Sequence, residues 1–338
     1  MSKRARSKKS SRVSAAGPSR SRTTVMLVRP DPSLREALVQ SCPDVDVCMP
    51  EDAEEARRQI RDAEVVYGIL TPELLAAARR LRWVQVPRAA LETVLFPELV
   101  KHPSAMTNMR GIYADVIADH VMTFALMFAR GMLYYLRAQR AHEWPAHYTI
   151  GPNCIALCDC TLGIVGFGGI GRALSRRACA AEMRIVALDA HPKEPATGVS
   201  EIWGPERLGD LLEQSDFVAM CLPETSETVG LLGERELGRM KPTAYLINVG
   251  RGRTVRLDAL TAALQSGRLA GAGLDVLGVE PLPPGHPLWD MPNVLITPHQ
   301  SARGAHELER RKGFFIENVR RFVENRPLMN VVDKTLGY

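Results

Sequence analysis

The chain has 338 residues, 46% hydrophobic and 24% charged, enough for two domains and a substantial core. No uninterrupted apolar run of about 18 residues occurs, so no transmembrane helix is expected, and the N-terminus lacks the apolar core of a secretory signal. The formal charge of +5 is local: residues 1–22 carry eight Lys or Arg and no acid, leaving the remainder near −3.

The basic segment, residues 1–23, reads as a disordered, solvated tail. Its Arg and Ser content suits a transit peptide, but it has almost no apolar face, and weak nonspecific attraction to nucleic acid is its other physical option. No specific nucleic-acid partner and no membrane partner are expected. Seven cysteines without a secretory signal suit reduced thiols and a cytoplasmic location. The cluster Cys154, Cys158 and Cys160 lacks paired zinc-ligand spacing and runs into a strand, so the cysteines are read as small apolar residues and no metal is expected.

From Thr24 onward, "TVMLVRP", "EVVYGI" and "WVQVP" read as strands separated by the helical stretches "PSLREALVQ", "AEEARRQI" and "TPELLAAARRL". The segment Ala114 to Arg140 is apolar on nearly every face and predicts one long buried helix. Its Val116, Ile117, Val121, Met122, Phe124, Leu126 and Met127 offer more apolar surface than one domain edge needs, which predicts a homodimer built on this helix. Six further strands follow at crossover spacing: "TLGIVGF", "RIVALD", "DFVAMCLP", "AYLINV", "GAGLDV" and "NVLITP". That series predicts an α/β chain with a doubly wound parallel sheet. An amphipathic helix over Ala305 to Pro327 closes the pattern, and no regulatory domain is expected beyond it.

The first of those six strands runs into Gly166, Gly168 and Gly171, the G-x-G-x-x-G spacing, with Gly169 and Ile170 inside the loop. Gly166 permits a tight turn, Gly168 lets backbone approach a pyrophosphate, and Gly171 lets helix pack on strand. Phosphates then sit on the free N–H groups of the helix N-terminus. The next strand ends on Asp189, placed to accept hydrogen bonds from a ribose and to repel the extra phosphate of NADP; His191 and Lys193 partly offset that repulsion. The cofactor expected is NAD.

A parallel sheet binds ligands beyond the carboxyl ends of its strands. Those ends carry Cys221, Leu222 and Pro223, then Val249 and Arg251, then Asp275, then His299, with Glu280 on the loop after Asp275. Alone, Arg251 between Gly250 and Gly252 reads as a solvated turn; the alternative is that the glycines let the backbone turn and aim a guanidinium at an anion. An arginine, a histidine and a carboxylate beside a nicotinamide are what hydride transfer at a 2-hydroxy acid requires. Arginine grips the carboxylate in a fork, histidine moves the hydroxyl proton, and the acid orients the imidazole and raises its pKa.

These residues resemble the D-isomer-specific 2-hydroxyacid dehydrogenases from Met26 to Tyr338: "GIVGFGGIGRALSRR", "MKPTAYLINVGRG", "GAGLDVLGVEPLPPGHPLW" and "NVLITPHQSA" stand in the family's order. The resemblance implies Arg251 as substrate anchor, Glu280 as orienting acid and His299 as acid–base. It implies a Rossmann-type cofactor domain, residues 126–299, inserted into a flavodoxin-like substrate domain made of 24–125 and 300–338. Asn108 and Gly111 would line the cleft. The family's Ser-Ala-Gly-Val-type turn after the "WVQ" strand is here "PRAALE", giving Arg88, Ala89 and Ala90 as the substrate loop. Ala90 enters positive φ less easily than glycine, so this loop is expected to sit differently. Arg88 is either a surface residue or an added anion anchor.

The reading is an NAD-dependent reductase of small 2-oxo acids such as glyoxylate or hydroxypyruvate. Its alternatives are an NAD-sensing scaffold of the corepressor type, or a dehydrogenase of another small oxyanion such as formate or phosphite.

Overall fold

The computed structural model describes residues 22–145, 154–191 and 195–337. The basic tail before Arg22, and Lys193, lie outside the described residues. Two parallel sheets organise the chain. The first joins β1 (Thr23–Leu27), β2 (Val45–Cys48), β3 (Val65–Tyr67), β4 (Trp83–Gln85) and β5 (Ala105–Thr107) in the order β2-β1-β3-β4-β5. The second joins β6 (Thr161–Val165), β7 (Arg184–Leu188), β8 (Ile202–Trp203), β9 (Phe217–Met220), β10 (Tyr245–Asn248), β11 (Gly271–Leu274) and β12 (Val294–Ile296). Its order is β12-β11-β10-β9-β6-β7-β8, again parallel throughout. The first order is the flavodoxin-like one and the second the Rossmann one with a further edge strand.

Parallel neighbours need crossovers, most of them made by helices, and helices also join the two sheets and follow the last strand. They are α1 (Pro32–Ser41), α2 (Ala53–Gln59), α3 (Pro72–Ala77), α4 (Pro97–Lys101), α5 (Ala114–Ala129), α6 (Met132–Arg140), α7 (Gly169–Ala180), α8 (Leu208–Gln214), α9 (Glu234–Leu237), α10 (Leu257–Gln265) and α11 (Glu307–Val323). The sequence specifies several starts chemically. Asp31, Asp52 and Thr71 each cap a helix by accepting the N–H three residues on, and Pro32 and Pro72 open α1 and α3. Strands β2, β5 and β8, absent from the sequence reading, are short (four, three and two residues) and lie at sheet edges.

The long apolar helix is a correction. The chain leaves helical geometry at Arg130 and Gly131, where Gly131 takes φ +61°, and α6 departs from α5 at 72°. A left-handed residue ends a helix, and glycine takes that conformation without a Cβ penalty. Among the described residues no single helix is long and apolar enough to cross a membrane. Ile117, Val121, Phe124 and Phe128 of α5 are buried, and the helix meets the second sheet through Phe124 at Gly273 and through Phe128, stacked on Tyr245 at 4.7 Å. The cysteine cluster also sits differently. Cys158 lies in a single 3-10 turn, Leu157–Asp159, before β6; Cys154 and Cys158 are exposed, and burial pushes the Cys160 thiol up to about 11.

Helix α11 returns to the first sheet. Phe315 is fully buried between Tyr67 and Trp83, with ring centroids at 4.4 and 5.7 Å, and Phe322 stacks on Trp83 at 5.6 Å. Beneath them a buried polar chain runs from Trp83 Nε1 to Thr107 Oγ1 (2.8 Å) and on to Gln85 Oε1 (2.7 Å), which also accepts from Asn318 of α11 at 3.3 Å. Every member has a partner, so burial costs these groups little.

The seat of α5 on the second sheet is tight at Gly273 of β11, where an added Cβ would lie 2.6 Å from Phe124 Cδ2. Gly273→Ala should therefore overpack the contact and cost about 1–3 kcal/mol in thermal or urea unfolding. An unchanged unfolding midpoint would show that α5 is not fixed against β11.

Candidate active site

The site begins where β6 ends. Gly166 takes φ +97°, a conformation that glycine tolerates, and its N–H donates to Leu188 O at 2.8 Å. A Cβ at Gly171 would stand 2.5 Å from Gly166 O, so this position of α7 must be bare for the helix to pack on the turn. At Gly168 a Cβ would meet nothing within 4 Å. That open backbone face, next to the unpaired N–H groups of the first turn of α7, fits a pyrophosphate. Asp189 ends β7 beside the loop: its Oδ2 accepts from Phe167 N at 2.8 Å and its Oδ1 from His191 N at 2.9 Å. Ile170 is half-buried in the first turn of α7.

The neighbouring strand ends crowd onto this turn. A Cβ on Gly166 would be 3.0 Å from the Cys221 carbonyl, and one on Gly250 would be 2.6 Å from Leu222 O. Cys221 and Leu222 are half-buried, Pro223 is exposed, and Val249 is buried, its N–H donating to Met220 O at 3.2 Å. The glycine loop, residues 221–223 and residues 249–250 therefore form one continuous rim.

Arg251 follows on that rim in extended backbone, φ −135° and ψ 139°. Neither flanking glycine has positive φ, which corrects the expectation that they were needed for the turn. They are needed for close approach: Gly250 lies against Leu222 O, and a Cβ on Gly252 would overlap Leu277 O. Asn248 Nδ2 and Thr254 Oγ1 both donate to Arg251 O, at 3.1 and 2.7 Å, bracing the turn. The guanidinium is not solvated loosely either. Nε donates to Glu92 Oε1 and Nη1 to Gly250 O, both at 2.8 Å, with the side chain only 25% exposed.

The backbone that Gly252 packs against leads directly to the other two residues. Leu277 N donates to Glu280 Oε1 at 2.9 Å, and Glu280 Oε2 lies 2.8 Å from His299 Nδ1. The imidazole is 54% exposed, and its Nε2 has no protein partner among the described residues. His299 takes φ +55°, and its N–H is shared between Asp275 O and Thr297 O, both at 2.9 Å. Asp275 is 2% exposed and binds the same turn. Thr297 Oγ1 donates to Asp275 Oδ1 at 2.6 Å, Gln300 N at 2.8 Å and Ser301 N at 3.1 Å, with Ser301 N also 3.0 Å from Oδ2. Burial pushes the Asp275 carboxyl up, but hydrogen bonds from Ser301, Thr297 and Gln300 outweigh it and hold the group below its ordinary value.

The loop after β4 completes the rim from the other sheet. Arg88 and Ala89 are exposed and Ala90 half-buried, and none of the three has positive φ, so alanine carries no strain there. Met109 N donates to Arg88 O at 3.1 Å and Asn108 Nδ2 to Ala89 O at 2.9 Å, which pins the loop to the end of β5. Gly111 (φ +81°) places its Cα 3.2 Å from where a Gly169 Cβ would be, at the start of α7. The sequence reading missed Glu92, two residues past that loop, and the pairing of His120 of α5 with Thr297 at 3.0 Å. Glu92 lay within the quoted "PRAALE"; nothing in the α5 sequence separated His120 from its apolar neighbours.

Residues 122–301 match the D-isomer specific 2-hydroxyacid dehydrogenase, NAD binding domain. A glyoxylate reductase of Thermofilum pendens is 33% identical over 292 residues, 83% of this chain and 85% of the relative. One from Korarchaeum cryptofilum is 34% identical over 287 residues, 82% and 84% of the two chains. The crystal structure of a D-isomer specific 2-hydroxyacid dehydrogenase from Xanthobacter autotrophicus, in complex with NADPH and MES, superposes with a TM-score of 0.79 at 29% identity, covering 94% of this chain and 100% of that one. With two parallel sheets in the required order and a matching dinucleotide loop, the chain belongs to the D-isomer specific 2-hydroxyacid dehydrogenase family and is a dehydrogenase acting on CH–OH donors.

Proposed function

We propose that the chain reduces a small 2-oxo acid of the glyoxylate or hydroxypyruvate kind, with NADH as reductant. The observation that carries this reading is the contact path from Arg251 through Gly252 and Leu277 to Glu280 and His299, on the rim of the dinucleotide loop. The names of the glyoxylate reductase relatives support the substrate class. Bound NADH supplies the hydride. Arg251 receives the substrate carboxylate and carbonyl oxygen on its Nη edge while Glu92 holds Nε. His299 Nε2 gives the carbonyl oxygen its proton, and Glu280 at Nδ1 stabilises the imidazolium and fixes the ring. Substrate-domain and cofactor-domain roles are assigned to residues 24–125 with 300–338 and to 126–299, the crossover lying within α5. NADH oxidation should be measured against glyoxylate, hydroxypyruvate, pyruvate and bulkier 2-oxo acids, with NAD reduction by formate and phosphite as the opposing arm. Turnover of the oxyanions alone would refute the reading.

Arg251→Lys keeps the charge and loses the bidentate edge. It should lower kcat/KM by about a hundredfold or more, with NADH affinity near wild type. Wild-type turnover would reduce Arg251 to a turn residue.

We place NADH ahead of NADPH because a 2′-phosphate would face the partly exposed Asp189 carboxylate at close range. The Xanthobacter relative was crystallised with NADPH, so the choice is specific to this chain's own strand end. The ratio of kcat/KM for the two cofactors tests it, and Asp189→Ala should narrow the ratio. A ratio favouring NADPH in the wild type would count against the assignment.

We also propose a homodimer. Its surface is narrower than the sequence reading had it, because Ile117, Val121 and Phe124 are buried within the chain. The apolar residues left exposed are Leu126 at the end of α5, Met132, Tyr135 and Leu136 of α6, and Trp144 beyond. A patch of that kind usually marks an interface. Sedimentation at low micromolar concentration should give about twice the 37.3 kDa chain mass. A fully active monomer would remove the proposal.

A further inference from the structure

The Thr297–Ser301 turn that carries His299 is fastened to α5 through a residue other than the one that meets Glu280. The fastening is directional. Asp275, a buried carboxylate held below its ordinary pKa, accepts and does not donate. The single hydroxyl proton of Thr297 therefore goes to Asp275 Oδ1, at 2.6 Å, and Thr297 Oγ1 must accept from His120 Nε2, at 3.0 Å. His120 Nε2 stands 4.0 Å from Asp275 Oδ1, too far for a direct hydrogen bond, so the hydroxyl is the link. Burial lowers the His120 pKa, although Asp275 pulls it upward, which favours the neutral ring, and the bond to Thr297 Oγ1 puts a proton on Nε2. The ring is held edge-on against Phe124, with centroids at 4.6 Å and planes at 74°.

The turn needs such a hold. His299 sits at φ +55°, a left-handed conformation unfavourable for a residue with a Cβ, and its N–H is shared between the carbonyls of Asp275 and Thr297, two residues of this network. Among the described residues the Glu280 carboxylate hydrogen-bonds the imidazole and Leu277 N, neither of them main chain of the Thr297–Ser301 turn, so it orients the ring without holding the backbone beneath it. We propose that His120 is a positioning residue: through Thr297 and Asp275 it keeps the His299 turn in its left-handed form, and so sets the rate of proton transfer rather than the binding of either ligand. The proposal rests on His299 being the proton donor.

His120→Phe removes the donor and keeps an aromatic ring against Phe124; His120→Gln returns an N–H near the position of Nε2. With glyoxylate, H120F should lower kcat about fivefold to tenfold, the size of one lost hydrogen bond, and leave KM and the NADH Kd within about twofold. H120Q should recover most of the loss. Amide hydrogen exchange at His299, Gln300 and Ser301, which needs no substrate, should rise about tenfold in H120F and return in H120Q. Unchanged exchange in H120F overturns the proposal, as does a kcat that H120Q leaves as low as H120F. Raised exchange with an undiminished kcat overturns its catalytic part. His299→Asn separates the two readings: if that variant turns over like wild type, the acid–base assignment falls, while the exchange data still decide whether His120 holds the turn.

Discussion

The site depends on how closely three stretches of backbone approach one another at the carboxyl edge of the second sheet. Residues 249–252 lie in van der Waals contact with Leu222 on one side and Leu277 on the other, an approach that admits no Cβ at Gly250 or Gly252. Close packing of this kind is rigid, because neither neighbour is a flexible side chain tip that can step aside. Arg251 inherits that rigidity through its own carbonyl, gripped by Asn248 and Thr254. The same contact carries the constraint onward, since Leu277 N binds Glu280 and Glu280 binds His299. Arg251, Glu280 and His299 are thus placed by one piece of main-chain packing.

Topology explains why these residues can meet although Arg251 and His299 are far apart in sequence. In a doubly wound sheet every strand delivers its carboxyl end to the same edge, so β6, β7, β9, β10, β11 and β12 each contribute one loop to one rim. The second sheet supplies the glycine loop together with Arg251, Glu280 and His299, and the first supplies residues 88–92 and Asn108. The Glu92–Arg251 pair is the point where the two edges touch through charge. It lies about one quarter to one third exposed, so solvent screens it and its contribution to stability is small; its value is directional, holding Nε.

Much of this was legible without coordinates because it is periodic or sterically absolute. Glycine spacing after an apolar strand, an acid at the next strand's end, and β-branched runs at crossover intervals are local signals, and the second sheet follows from them almost strand by strand. Edge strands β2, β5 and β8 were not legible, since Asp46 interrupts VDVC and neither AMT nor IW holds a run of β-branched or aliphatic residues like VVY of β3 or VLI of β12. The break at Gly131 was missed for a different reason. Composition shows that a segment is buried but not that a single residue adopts φ +61° and turns the axis by 72°.

The residues that escaped the sequence reading altogether share a property: each acts across a large sequence separation through one polar contact. Glu92 meets Arg251 over 159 positions, and His120 meets Thr297 over 177. A polar residue on an apolar helix has many structural uses, and only its partner decides among them. For His120 the partner is a hydroxyl already committed to Asp275, which fixes the direction of every proton in the chain from α5 to the His299 turn. Helix α5 packs with α7, whose first turn carries the dinucleotide loop, and with the Asp275–Thr297 network. One helix therefore touches both the element that follows the glycine loop and the turn that carries His299, and so ties those two parts of the rim together.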